Sequence, residues 1–172
     1  FLIIAKSDKI KQEKKALIIA KLSEYAGFYG MIGGQYIDME SENHKIEYET
    51  LQYIHANKTG KLLTAAIELP LISLGINEDD IQRLVKYSEL MGIAFQIKDD
   101  ILSEEGNEEI LGKPVGNDKE LEKCTYVSKY GLQGAKKILE EITKEAIEEL
   151  KEYGDRAEFL RELALYIKDR NK

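Results

Sequence analysis

The sequence predicts an all-α protein, and three observations support that fold class. Only 2 of the 172 residues are proline, so few positions interrupt a helix. Segments rich in Glu, Lys and Leu, which are strong helix formers, make up most of the chain. Apolar residues recur along these segments at helical spacing. The chain is long enough for one domain with a sizeable core, so we expect residues 1–172 to form a single domain.

Composition and charge exclude several classes of function. Hydrophobic residues at 43% and charged residues at 33% are typical of a soluble globular protein. The net charge of -7 and the lack of a basic, aromatic-rich stripe argue against nucleic-acid binding. No apolar run reaches the roughly 18 residues that a membrane span requires. The single cysteine, Cys124, cannot form an internal disulfide, so we expect a cytoplasmic location.

The chain begins without Met, on the apolar run Phe1–Ala5. This run lacks the charged lead-in of a signal peptide. We interpret it as the middle or end of a core helix, and therefore expect the chain to be a piece of a longer one.

A first predicted helix follows the break at residues 7–9, and a glycine-rich segment comes after it. That segment holds four glycines between Gly27 and Gly34. Since glycine costs a helix about 1 kcal/mol relative to Ala, one interpretation is a loop or a close packing contact. The other is a helix whose missing side chains make room for a ligand or a partner helix, with Gln35 and Asp38 facing it.

A second helix is predicted from about Ile46 to Gly75, and its apolar stripe carries a cation. Lys58 lies on that stripe, beside Thr59 and just ahead of Gly60. Pro70 is expected to kink the helix or rearrange its next turn.

The next helix is predicted to begin behind a capping Asn77 and to end in the segment Phe95–Ser103. Counting back from Asp99 at helical spacing gives apolar or small residues, so this carboxylate lies on a core-facing surface. A buried carboxylate needs a cation or several donors. Asp99 and Asp100 also oppose the helix dipole, whereas Asp79 and Asp80, at the helix N-terminus, are stabilised by it. Something positive is therefore expected beside Asp99 and Asp100.

The helical pattern lapses between Glu104 and Asp118, which predicts a loop that carries lysines. Thr125 is expected to cap a short helix that ends at Tyr130. A long amphipathic helix is predicted over residues 132–153. Residues 155–158 have capping-box spacing for a last helix.

Two interpretations account for Lys58 and Asp99 on apolar faces. One is a buried Lys58–Asp99 ion pair in a purely structural bundle. The other is a polyanionic ligand bridged by a divalent metal, which also accounts for Asp100, Thr59, Gln96 and Lys113. Mg²⁺ prefers such hard oxygen ligands. One Cys and two His residues argue against zinc, which is bound mainly by these residue types.

The sequence resembles the trans-isoprenyl diphosphate synthases of the farnesyl and geranylgeranyl type. Four blocks in order carry the resemblance, and the ending Leu165-Tyr166-Ile167-x-x-Arg170 adds to it. They are Gly34-Gln35-x-x-Asp38, Ile54-His55-x-x-Lys58-Thr59-Gly60, Phe95-Gln96-Ile97-x-Asp99-Asp100-Ile101-Leu102 and Gly112-Lys113-x-x-Gly116-x-Asp118 running on to Lys123.

The resemblance implies a fold, a cofactor and a set of site residues. The fold is an isoprenoid synthase-type helical bundle around a central cavity, here a partial bundle. Asp99 and Asp100 match the family's second aspartate-rich motif, which binds Mg²⁺. The remaining matches are diphosphate-contacting positions and cavity positions. The positions that match diphosphate contacts are Lys58, Thr59, Lys113 and Lys123. The positions that match the cavity are Gln35, Asp38, Phe95 and Gln96. The implied catalytic residues are Lys58, Thr59, Gln96 and Asp99.

The implied reaction joins an allylic diphosphate to isopentenyl diphosphate, in an enzyme that is typically a homodimer. Two departures from the family pattern matter. Ser103 replaces the third aspartate of the second motif, and the first aspartate-rich motif is absent. We therefore expect a truncated fragment, the C-terminal part of a polyprenyl synthetase domain, that is inactive alone. The alternative is a non-catalytic regulatory or binding subunit with the same fold.

Overall fold

The computed structural model describes residues 1–42, 44, 46–105 and 125–171, and every regular element in these ranges is helical. The all-α fold class is therefore confirmed. Two further segments are helical but not α: a π segment, His55–Gly60, and a 3₁₀ segment, Lys151–Ala157. The α-helices are α1 (Leu2–Lys6), α2 (Gln12–Ala26), α3 (Met31–Glu40), α4 (Tyr48–Ile54), α5 (Lys61–Leu74), α6 (Glu78–Glu105), α7 (Tyr126–Glu149) and α8 (Glu158–Asp169).

The core lies mainly between α6 and α7, with α8 packed against both. Full burial of an aliphatic side chain is worth about 1.5–3 kcal/mol, so this interface is the main stabilising contact. The hydroxyl of Tyr87 on α6 also donates to the carbonyl of Leu160 on α8 at 2.7 Å. The most buried members of this cluster are Tyr87, Ala94, Ile97, Ile101, Ala135, Ala146, Leu150 and Ala164.

A second contact joins α2 to α5 and encloses a carboxylate. Glu68 on α5 is 6% exposed. Its two oxygens are held from α2 by the hydroxyl of Tyr25 and by the ammonium of Lys21, the latter at 2.8 Å. Both donors satisfy a group that would otherwise be costly to bury.

The helix boundaries agree with several sequence-based predictions. The side-chain oxygen of Asn77 accepts from the backbone N–H of Asp80 at 2.9 Å, as expected of a cap ahead of α6. Thr125 caps α7 in a capping box with Ser128. Gly131, at φ 70°, then separates the short first part of α7 from its long remainder, which matches the two predicted helices.

Two local expectations are met in part, and a third is wrong. Phe1–Ala5 is largely helical, as expected, and no residue of α1 is buried within the part of the chain that the structure describes. The helix α5 continues through Pro70 to Leu74, so the proline does not end it. No side chain caps α8, because the chain winds as the 3₁₀ segment up to Ala157 and α8 begins only at Glu158.

Among the described residues, no helix combines the length and the apolarity that crossing a membrane requires.

Candidate active site

The π segment is fixed from one side by a glycine of α3. A Cβ placed on Gly34 would lie 2.3 Å from the backbone nitrogen of Lys58, so the two backbones touch. One turn further along α3, Oδ2 of Asp38 accepts from Nζ of Lys58 at 2.5 Å. Both expectations for the glycine-rich segment thus combine, since residues 27–30 form a turn, α3 begins at Met31, and Gly34 on α3 admits the π segment closely.

The π segment is fixed from the other side by α6. A Cβ on Gly92 would lie 3.2 Å from the Cα of Gly60. At the opposite end of the segment, the ring of His55 stacks on Tyr126, whose backbone N–H donates to Oδ2 of Asp100. The π segment therefore runs along α6 from Gly92 towards Asp100.

This arrangement places several sequence-predicted residues in one region. Lys58 and Thr59 fall between the two contacts, beside the stretch of α6 that carries Phe95 and Gln96. Thr59 and Gln96 are half-buried there. Gln35 follows Gly34 directly on α3 and is also half-buried. π segments that interrupt α-helices are frequently found at functional sites, and this one carries Lys58.

The carboxylate of Asp99 is paired with an arginine that follows α8. Oδ1 of Asp99 accepts from the guanidinium of Arg170. The same guanidinium donates to the carbonyl of Phe95 at 3.3 Å and lies 4.2 Å from the centre of the Phe95 ring. Sequence reasoning included Arg170 only in a matching C-terminal pattern and did not predict this contact, since nothing in the spacing joins positions 71 residues apart.

One of the two interpretations from sequence, a buried Lys58–Asp99 ion pair, is wrong. Lys58 pairs with Asp38, and Asp99 pairs with Arg170. The reason is geometric: α3 approaches the π segment closely enough at Gly34 to bring Asp38 to Lys58, while α8 delivers Arg170 to the end of α6. A cation beside Asp99 was nevertheless expected, and one is present.

The environment of His55 makes its ring neutral at physiological pH. Burial lowers the pKa of His55 to about 4, with Asp38 opposing and Lys58 reinforcing the shift. Its ring packs nearly parallel to that of Tyr126, with the ring centres 6.1 Å apart. Tyr126 also packs edge-on against Tyr48, and burial raises the pKa values of both phenols. These aromatic rings join α4, the π segment and α7 at the end of α6.

Two carboxylates at the end of α6 are the described oxygen ligands that fit a magnesium ion. The Asp99 side chain is 40% exposed, so its carboxylate is accessible to a hydrated ion. Asp100 directs Oδ2 towards the N-terminus of α7, where the helix dipole favours a negative charge. No group of three or more His, Cys, Asp or Glu side chains able to hold a metal occurs within the described ranges. This set suits Mg²⁺, which commonly uses one or two carboxylates and takes its other ligands from phosphate and water.

Lys113 and Lys123, the other predicted diphosphate ligands, lie outside the described residues.

Comparison with known families gives a match over most of the chain. Residues 1–162 match the family model described as Polyprenyl synthetase. The chain is 44% identical over 140 residues to the farnesyl diphosphate synthase of Bacillus subtilis, covering 81% of this chain and 47% of that protein. The chain thus spans about half the length of the curated relatives it matches.

Solved structures give the same result for the fold. The geranylgeranyl pyrophosphate synthetase of Pyrococcus horikoshii matches 99% of this chain and 63% of its own, with a TM-score of 0.86 and 27% identity. The geranyltransferase of Helicobacter pylori, complexed with magnesium and isoprenyl diphosphate, matches 96% of this chain and 54% of its own, with a TM-score of 0.76 and 27% identity. The isoprenyl diphosphate synthase-like bundle expected from the sequence is confirmed.

Proposed function

Because the chain belongs to the polyprenyl synthetase family, we propose that it supplies the C-terminal half of a prenyltransferase. The whole enzyme joins an allylic diphosphate to isopentenyl diphosphate. The observation that carries this proposal is the position of Lys58 and Thr59 beside the face of α6 that ends in Asp99. Cationic, hydroxyl and carboxylate groups on one surface suit a diphosphate with a divalent ion.

The reaction begins when the allylic carbon–oxygen bond breaks and its electron pair leaves with the diphosphate. The double bond of isopentenyl diphosphate then forms a carbon–carbon bond to the allylic cation, and a proton is lost. The main barrier is charge separation in the first step, so groups that stabilise the departing diphosphate supply most of the catalysis. A bound Mg²⁺ adds positive charge at that diphosphate.

Each residue has a role that follows from its charge and place. Lys58 and Thr59 bind the allylic diphosphate as a point charge and a hydroxyl donor, and Lys113 and Lys123 extend this set. Asp99 is the principal metal ligand. Asp100 assists it while also capping α7, which leaves Asp99 with the larger share of the metal binding.

Further residues shape the site around these ligands. Asp38 holds Lys58 in place through their ion pair. Gln35, Phe95 and Gln96 line the cavity beside the reacting groups. Phe95 offers an apolar wall that keeps water from the carbocation.

The remaining expectations extend this proposal to the whole protein. We propose a single domain over residues 1–172, inactive without the first aspartate-rich motif, in an enzyme that works as a homodimer in the cytoplasm.

A chimeric enzyme tests the proposal. The matched C-terminal part of the Bacillus subtilis farnesyl diphosphate synthase is replaced by this chain, and prenyl transfer is measured with Mg²⁺ and both diphosphates. We expect turnover by the chimera, little or none by this chain alone, and a large loss in the chimera with Lys58→Ala. A chimera that folds, as judged by circular dichroism and size, but does not turn over would favour the non-catalytic subunit. Robust turnover by the chain alone would overturn the claim that it is half a site.

A further inference from the structure

Arg170 occupies the position at Asp99 where a metal ion would be expected. Its guanidinium donates to Oδ1 of Asp99, one of the two oxygens available for coordination. The arginine side chain is 12% exposed, against 40% for that of Asp99. The guanidinium is therefore the more enclosed of the two groups, and the carboxylate is the one that faces solvent.

A guanidinium and a divalent ion compete for the same carboxylate oxygen. The hydrogen bond uses lone-pair density that a coordinating metal requires, and the fixed positive charge repels an approaching ion. We propose that Arg170 is a placeholder cation, which neutralises Asp99 in the metal-free protein and must release Oδ1 when the metal binds. This inference rests on the proposed function, in which Asp99 is the principal metal ligand.

Phe95 provides the means for Arg170 to release Asp99 without leaving the site. The guanidinium also donates to the carbonyl of Phe95 at 3.3 Å and lies 4.2 Å from the centre of the Phe95 ring. Both lie on α6 one turn before Asp99. We expect the contact with the Phe95 ring to keep the guanidinium on α6 when the hydrogen bond to Oδ1 of Asp99 is released.

Removing a placeholder residue should change the metal affinity in the opposite direction from removing a supporting residue. A residue that merely orients Asp99 would weaken metal binding when removed. A placeholder would strengthen it, because the metal no longer has to displace a bound cation.

Binding of Mn²⁺ alone, followed by loss of the free-ion electron paramagnetic resonance signal, tests this inference without any turnover. We expect Arg170→Gln to bind Mn²⁺ roughly threefold to fivefold more tightly than the unchanged chain, as for removal of a partly exposed ion pair. Arg170→Lys keeps the charge but loses the planar head group at the Phe95 ring, so its affinity for Mn²⁺ is expected to lie between those of the unchanged chain and Arg170→Gln. Arg161→Gln is the matched control on α8, since Arg161 pairs with Glu158 and not with Asp99, and is expected to change nothing.

Equal or weaker Mn²⁺ binding by Arg170→Gln would overturn the inference, as would the absence of saturable binding in both proteins. Asp99→Asn separates this failure from failure of the proposed site. If Asp99→Asn abolishes Mn²⁺ binding and Arg170→Gln does not strengthen it, the metal site stands and the placeholder role falls. If Asp99→Asn binds Mn²⁺ as well as the unchanged chain, the metal assignment itself is wrong, and the placeholder role falls with it.

Discussion

The carboxylate of Asp100 accepts the backbone N–H of Tyr126 at 2.8 Å, so the second of two adjacent aspartates ties the end of α6 to the start of α7. Its neighbour Asp99 instead faces Arg170 and solvent. The two adjacent aspartates thus have different roles: Asp100 is largely structural, and Asp99 is available to a ligand.

Alanine substitutions at the two aspartates are expected to separate these roles. Asp100→Ala removes an acceptor and a favourable charge at a helix N-terminus, at a cost of about 1–2 kcal/mol in the free energy of unfolding. Asp99→Ala breaks a half-exposed ion pair, at a cost of about 0–1 kcal/mol. Urea unfolding followed by circular dichroism measures both. Equal losses for the two variants would contradict the division of roles.

Gly34→Ala is expected to destabilise the protein because its Cβ would overlap the backbone at Lys58. We predict a loss of about 1–3 kcal/mol in the free energy of unfolding, since α3 has to move away from the π segment. Gly60→Ala is the matched control two residues after Lys58. Gly60 has helical backbone angles, and a Cβ there would meet only the carbonyl oxygen of His55, at 3.5 Å.

For Gly60→Ala we expect a change between zero and a gain of about 1 kcal/mol, because Ala is the better helix former. A stable Gly34→Ala variant, or a Gly60→Ala variant as damaged as Gly34→Ala, would show that the close contact at Gly34 does not hold α3 in place.

His55 is expected to make stability fall in mild acid. Its pKa is about 4 in the folded protein and about 6.5 in the unfolded chain, so the unfolded state gains a proton first as the pH drops. The contribution of His55 to stability is therefore present above pH 6.5 and is lost as the pH falls towards 4. From pH 7.5 to pH 5 this loss is about 2 kcal/mol.

His55→Phe keeps a ring against Tyr126 and is expected to remove that part of the acid dependence. The control is His44→Gln, since His44 is exposed and is the only other histidine in the sequence. Urea midpoints at several pH values measure the slopes. If His55→Phe loses stability between pH 7.5 and pH 5 as steeply as the unchanged chain, burial of a neutral imidazole is not the cause.

Glu68 is expected to set the alkaline limit of stability. Its hydrogen bond to Lys21 raises the pKa of that ammonium, and burial followed by the same carboxylate raises the pKa of Tyr25. Both folded pKa values lie above the unfolded ones, so the stability they contribute is full below about pH 10 and is lost as the pH rises through the folded values.

Glu68→Gln is expected to cost about 1–3 kcal/mol near pH 8 and to flatten the decline above pH 10. The surface control is Glu141→Gln, whose partner Lys137 lies 3.8 Å away with both side chains exposed. Unfolding curves at pH 8 and above pH 10 provide the comparison. An equal decline in Glu68→Gln and the unchanged chain would exclude this carboxylate as the source.

The sequence predicts those features of this protein that depend on local patterns. Helical periodicity gives the helices, and Asn77 and Thr125 are recognisable caps because their hydrogen bonds span three residues. The cation on the apolar stripe at Lys58 and the carboxylates at the end of α6 are visible for the same reason. Each interrupts an apolar face.

The pairing of charges depends on tertiary contacts that no local pattern encodes. Lys58 and Asp99 are opposite charges on apolar helix faces, so an ion pair between them is the simplest interpretation of the sequence pattern. The observed partners, Asp38 and Arg170, are delivered by the close approach of α3 and by the end of α8. The π segment could not be predicted from the sequence either. Gly60 and Pro70 indicate that the helix is irregular near them, but they do not specify the hydrogen-bonding pattern that the backbone adopts there.

Binding of geranyl diphosphate to this chain, measured by isothermal titration calorimetry with and without Mg²⁺, tests the central claim most directly. The claim is that Asp99 and Lys58 form one half of a magnesium–diphosphate site. It predicts binding that requires Mg²⁺, is abolished by Asp99→Asn and is weakened about tenfold or more by Lys58→Ala. Binding that is equally strong without Mg²⁺, or unchanged in Asp99→Asn, would contradict it.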